Sequence, residues 1–197
     1  MTETLPPSPH MDPEGLHCFQ TALATSRCYL EYGSGGSTIY ANNIAKVKNI
    51  ISIESDRSWA ENVAKSLDKN GSKVFISYCD IGDVGDWGAP KSRERMENFW
   101  RYATNPWEAA RQHNLVPDTV LIDGRFRVAS FLYSLLSSRV GTALLFDDYL
   151  DRPEYHIVEK FCRIESLHGR LALFRTNHSY SAADLSATFA RFSVIPA

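Results

Sequence analysis

Cys28-Tyr29-Leu30-Glu31-Tyr32-Gly33-Ser34-Gly35-Gly36-Ser37-Thr38 is the stretch on which the reading of this 197-residue chain turns. Residues 28–32 are strand-like and include an acid, Glu31. Three glycines then fall within four positions, and Ser37-Thr38 open a segment of helical composition. Glycines after a strand and before a helix let the backbone turn sharply and approach a ligand with no Cβ in the way. Such a cluster alone is equally compatible with an ordinary strand-to-helix turn. Glu31, two residues ahead of Gly33, adds a hydrogen-bond acceptor beside the turn and favours a ligand.

Outward from this stretch, the chain alternates. Asn49–Glu54 and Lys73–Tyr78 read as strands, separated by a helix that Ser55 or Asp56 caps and whose Trp59, Val63 and Leu67 share one face. Asp118–Ile122 and Ala143–Phe146 continue the series, with Arg125–Ser137 between them as a helix of one apolar side. Arg163–Leu167 and Arg170–Thr176 read as a hairpin turned at His168-Gly169, preceded by a helix over Arg152–Lys160 and followed by one over Ala182–Phe192. Glu14–Ala24 is an amphipathic helix with Asp12 as its N-cap and Pro13 in its first turn. Strand, helix, strand in this order implies a parallel sheet with right-handed crossovers.

Two regions break the rhythm. Met1 to Asp12, with three prolines, reads as a flexible arm. Residues 82–116 form an aromatic-rich insertion, with helices expected over Lys91–Tyr102 and Trp107–His113. It suits a cover for a ligand site, a subunit contact such as a homodimer interface, or a satellite hydrophobic cluster in equal measure.

Composition sets the outer bounds. The length fits one domain with a substantial core, and 44% hydrophobic with 22% charged residues describes a globular protein. Twenty-one Lys and Arg against 23 Asp and Glu leave a net charge of −2, so no general footprint for nucleic acid exists. No apolar run approaches the roughly 20 residues that span a bilayer. The start, Met1 to Pro13, lacks the apolar core of a secretory signal, so a cytoplasmic location is expected. The four cysteines form no CxxC pair and read as buried thiols, and the six histidines show no HExxH spacing.

Glu31, Glu54, Asp80, Asp123 and Asp147-Asp148 all fall at the C-terminal ends of expected strands. That is the edge at which doubly wound sheets bind ligands. A lysine after the glycines, which a phosphate loop requires, is absent, and the dinucleotide pattern GxGxxG fails at its third glycine, where Thr38 stands. A carboxylate beside the turn would repel a pyrophosphate but suits a ligand carrying cations, such as S-adenosylmethionine.

On these motifs the chain resembles the class I S-adenosylmethionine-dependent methyltransferases, over about Glu14 to Thr176. The resemblance implies a Rossmann-like α/β fold with a seven-stranded, mostly parallel sheet, helices on both faces and an antiparallel last strand. It implies that Glu31 and the loop at Gly33, Ser34 and Gly35 hold the methionine part of the cofactor. Glu54, followed by Ser55, would take the ribose hydroxyls, and Asp80 with Ile81 would border the adenine. Ile122-Asp123-Gly124 and Gly141 to Asp148 further resemble metal-dependent O-methyltransferases of the catechol and sugar types. By that likeness Asp123, Asp147 and Asp148 would ligate a divalent cation such as magnesium, and Asp123 and Asp148 would act in catalysis. The lysine or histidine those types carry after the fourth-strand acid is replaced here by Arg125, Phe126 and Arg127. These two arginines suit an anionic group on the substrate or a solvated helix turn.

The implied activity is methyl transfer to an oxygen of a small-molecule acceptor, with no nucleic-acid or membrane partner. Two rivals stand beside it. One is a methyltransferase-like cofactor-binding protein without catalysis. The other is an NAD(P)-dependent oxidoreductase, against which Thr38 and the absence of a YxxxK pair both count.

Overall fold

A computed structural model describes residues 8–196. Seven strands form one sheet in the order β3-β2-β1-β4-β5-β7-β6. They are β1 (Cys28–Tyr32), β2 (Asn49–Glu54), β3 (Lys73–Tyr78), β4 (Thr119–Ile122), β5 (Ala143–Phe146), β6 (Ile164–His168) and β7 (Leu171–Arg175). β1 to β5 pair in parallel, and β7 runs antiparallel to both of its neighbours, β5 and β6. The expected fold class holds, including the hairpin at the far edge.

The central strands are buried at every position, as apolar runs covered on both faces require. Alternation divides their side chains between two cores. Tyr29, Ile50, Leu121 and Leu145 pack with α1 (Pro13–Thr25), through Cys18, Phe19 and Leu23, and with Ala41 and Val47. Leu30, Ile51, Val120, Leu144 and Phe146 face the opposite layer. That layer holds α4 (Phe99–Gln112), α5 (Arg127–Ser137) and, through Leu185, α6 (Ala182–Phe192). α2 (Gly36–Ile39) widens into a π-helical turn at Tyr40–Ile44, and α3 (Arg57–Lys65) follows β2 with Asp56 as N-cap. The four cysteines are free and buried.

Three expectations need correction. The two helices expected within residues 82–116 are one: α4 runs through Pro106, which lies inside it. Proline removes a helical hydrogen bond, but burial of Phe99, Tyr102, Ala103, Trp107 and Ala110 along one helix favours continuity. Its aromatic residues belong to the main core, with the Trp107 indole donating to Tyr32 Oη at 3.0 Å. The helix expected at Arg152–Lys160 is a 3₁₀ segment, Pro153–Lys160. The first seven residues of the expected arm lie outside the described residues, and the remaining five are held. Pro9 is buried, and the Ser8 carbonyl lies over Gly36, 2.5 Å from where a Cβ would be. Asp12 caps α1 by accepting from Gly15 N at 2.8 Å, and its other oxygen accepts from Arg170 N at 2.9 Å.

Strand order reverses between β1 and β4, so the crevice for a ligand opens at their C-terminal ends. Gly33 and Gly124 occupy that place.

Candidate functional site

Gly33 sits at φ +89°, in the left-handed region, and a Cβ there would lie 2.9 Å from the Cα of Gly124. The two backbones touch because neither residue has a side chain. Ser34 is then fixed through three groups. Its N–H donates to Glu54 Oε2 at 3.0 Å, its carbonyl accepts from the Trp59 indole at 2.7 Å, and its hydroxyl meets Ser52 Oγ at 2.7 Å. Around Gly35 a Cβ would meet nothing within 4 Å, so the turn is open there.

Glu31 lies beneath the turn and does not line its open side. It is fully buried, and its carboxylate accepts from Tyr29 Oη at 2.8 Å, Ser37 Oγ at 2.7 Å and the Thr38 hydroxyl. Burial pushes its carboxyl up to about 7, against the pull of those three donors. The expected direct contact with a ligand is thus replaced by bracing. Strand alternation puts Glu31 on the same face as Tyr29, under the start of α2.

Glu54, 6% exposed, is the acid hydrogen-bonded to the turn. Its Oε1 accepts from Ser55 N at 2.7 Å, Asp56 N at 3.0 Å and Ser55 Oγ at 3.3 Å, whereas among the described residues Oε2 accepts from Ser34 N alone. A carboxylate oxygen can accept two bonds, so Oε2 keeps a free acceptor position. Burial raises the Glu54 carboxyl, opposed by those backbone N–H groups. Gly88, at φ +70°, packs on this pair; its carbonyl accepts from Ser55 Oγ at 2.9 Å. Beside it stand Trp87, 81% exposed in a left-handed backbone conformation, and the His10 ring, 6.1 Å from the indole. Sequence reasoning gave Gly88 no role. Asp80 is exposed, accepting from Gly82 N at 3.0 Å, and Ile81 is fully buried in the core. Of that expected pair only Asp80 is open to a ligand.

At the ends of β4 and β5 the structure brings Asp123, Asp147 and Asp148 together, with one carboxylate oxygen of each within 4.8 Å of the others. Arg127, at the start of α5 and only 4% exposed, reaches into them. Its Nη2 lies 3.0 Å from Asp123 Oδ1 and its Nη1 3.1 Å from Asp148 Oδ2. It also donates to the carbonyls of Gly124, Asp147 and Asp123 at 3.0, 2.7 and 3.2 Å. Arg170 stands 3.5 Å from Asp147 Oδ2 and 3.0 Å from Asp148 Oδ1, and Arg152 3.5 Å from Asp148 Oδ2. Asp148, at φ +54°, is therefore held by three guanidinium groups.

These contacts change two expectations. Arg127 turns inward onto acids and is not available to an anionic substrate; its i,i+4 spacing from Asp123 was the readable signal. The donor set of three carboxylates suits a hard divalent ion, but a positive charge already stands among them, so the arrangement does not fit a bound metal. Burial raises the Asp123 and Asp147 carboxyls, with Arg127 opposing it at Asp123 and, at Asp147, the nearby Asp148 carboxylate adding to it. Asp123 keeps 29% side-chain exposure, and its Oδ2 has no hydrogen-bond partner among the described residues. Arg125 forms no ion pair among the described residues, and its buried Nε lacks a partner.

No family model and no curated protein matches the chain. Among solved structures, a methyltransferase-like protein from Silicibacter pomeroyi is 34% identical, over 98% of this chain and 100% of that one, with a TM-score of 0.85. A candidate methyltransferase from Escherichia coli (13% identity, 89% and 92% coverage, TM-score 0.52) and a candidate methylase from Haemophilus influenzae (11%, 86% and 91%, 0.50) share the fold. No helix among the described residues is long and apolar enough to cross a membrane. The chain belongs to the methyltransferase-like family, on the class I methyltransferase fold.

Proposed function

We propose that this protein transfers the methyl group of S-adenosylmethionine to an oxygen of a small molecule. The observation that carries the reading is the link between Ser34 N–H and Glu54 Oε2, which joins the glycine turn of β1 to the acid ending β2. That joint unit presents open backbone at Gly35 for the methionine part and a free acceptor position at Glu54 for a ribose hydroxyl. Its acidic character suits a donor bearing an ammonium and a sulfonium and no phosphate. Asp80, the exposed acid that follows β3, would accept from the adenine amine; its exposure supports this role.

An oxygen acceptor is favoured by Asp123. A hydroxyl must lose its proton as the methyl group arrives, and a carboxyl raised by burial is a better proton acceptor near neutral pH than an ordinary aspartate. Oδ2 is the atom free to take that proton, while Arg127 fixes the other oxygen at 3.0 Å. Asp148, saturated by guanidinium groups, serves to hold the cluster and not as the base. Arg125, without a carboxylate partner among the described residues, suits an anionic group on the acceptor. Catalysis would rest chiefly on holding the oxygen about 3 Å from the methyl carbon, in line with the sulfur.

The test is transfer of an isotopically labelled methyl group from S-adenosylmethionine to a mixture of small hydroxyl compounds, read by mass spectrometry. Labelled O-methyl products are expected. Cofactor binding without any transfer would leave a binding protein on this fold, and binding of NAD or NADP alone would overturn the donor.

A further inference from the structure

We infer that Arg127 stands permanently in the place of a divalent cation at the ends of β4 and β5, and that the cluster of Asp123, Asp147 and Asp148 is thereby closed to metal. The inference concerns the cluster alone and holds whichever ligand the glycine turn takes.

Three carboxylates gathered at one edge of a sheet need compensating charge, because buried anions without partners are strongly disfavoured. A bound hard cation is one solution, and a buried guanidinium is another. Here the second is built. Arg127 issues from the first turn of α5, four residues after Asp123, and is nearly inaccessible to solvent. Its N–H donors find two carboxylates and three backbone carbonyls, all within 3.2 Å. Those carbonyls belong to Gly124, Asp123 and Asp147, the residues through which β4 and β5 leave the sheet. The guanidinium thus gathers oxygens from both strand ends, as a central cation would. Arg170 and Arg152 close the outer side of Asp147 and Asp148.

Entry of a divalent ion would require expelling a buried group whose donors are already used, or placing like charges side by side. Two oxygens are left over: Asp147 Oδ1, which is buried, and Asp123 Oδ2 have no hydrogen-bond partner among the described residues. Both belong to carboxylates whose other oxygen already faces a guanidinium, Arg127 at Asp123 and Arg170 at Asp147, so a dication held there would stand beside like charge and meet no uncompensated anion. A fixed guanidinium also differs chemically from a metal. It does not exchange, is not removed by chelators and does not act as a Lewis acid on a bound hydroxyl, so the proton of that hydroxyl must go to a carboxylate.

Manganese binding, followed by the electron paramagnetic resonance signal of the free ion, tests this directly. Wild type and Asp147→Asn should take up the ion equally weakly, at scattered surface acids only. One equivalent bound by wild type and lost in Asp147→Asn would overturn the inference. Arg127→Met should gain one manganese site, lost again when Asp147→Asn is added. A folded Arg127→Met protein that gains none would show that Arg127 does not hold the cation's place. Should Arg127→Met fail to fold by circular dichroism, the comparison of wild type with Asp147→Asn decides alone.

Discussion

Gly33 and Gly124 meet backbone to backbone at the point where strand order reverses, and each excludes a side chain on the other. A Cβ on Gly124 would lie 2.7 Å from Gly33 N and 2.2 Å from the Tyr102 hydroxyl. Gly124→Ala should therefore destabilise the protein by about 1–3 kcal/mol, in the range of overpacking with backbone displacement. Gly35→Ala, with open space around its Cβ and an extended φ of 173°, should stay within about 0.5 kcal/mol of wild type. Urea denaturation of the two variants measures the contrast.

Glu31 makes stability depend on pH. Its carboxyl, 4.5 ordinarily, is pushed up to about 7 in the fold. Between those values the folded protein holds a proton that the unfolded chain has released, so stability falls as pH rises through the window and the loss is complete above pH 7. Asp123 and Asp147, also raised, act in the same sense. Glu31→Gln should flatten this decline, with urea midpoints measured from pH 4.5 to 8 as the readout. An unchanged slope would mean that Glu31 is ionised beneath the turn at all these values.

Asp123→Asn removes the proposed proton acceptor while its amide oxygen can still meet Arg127. Methyl transfer should fall by roughly 10²–10⁴-fold, the usual worth of a positioned base, with affinity for S-adenosylhomocysteine unchanged. Loss of cofactor affinity in step with rate would assign Asp123 to binding instead. Single-turnover rates and calorimetry on the same preparation separate the two.

Much of the fold was legible because its strands are short apolar runs closed by acids: β1, β2, β3 and β5 have the bounds their composition implies. Residues 82–116 were not, because Pro106 is locally a stop signal and only the buried face of α4, meeting β2 and α5, outweighs it. At the site, the acids were legible as strand-end residues but their directions were not. Parity along β1 could have placed Glu31 with Tyr29 on the inner face. The i,i+4 relation of Asp123 and Arg127 could have shown the arginine turned inward. Gly88 carries no local signal, since its contact with Glu54 and Ser55 spans more than 30 residues and depends on the loop's tertiary path.

Whether the glycine turn and Glu54 together bind the methyl donor is decided by calorimetry with its demethylated product, S-adenosylhomocysteine. Wild type should bind one equivalent. Glu54→Gln, which removes the charge from hydrogen bonds worth about 1.5–3 kcal/mol each, should bind roughly 10–100-fold more weakly. Absence of binding by wild type, or equal affinity in the two proteins, would contradict that role for the turn and Glu54.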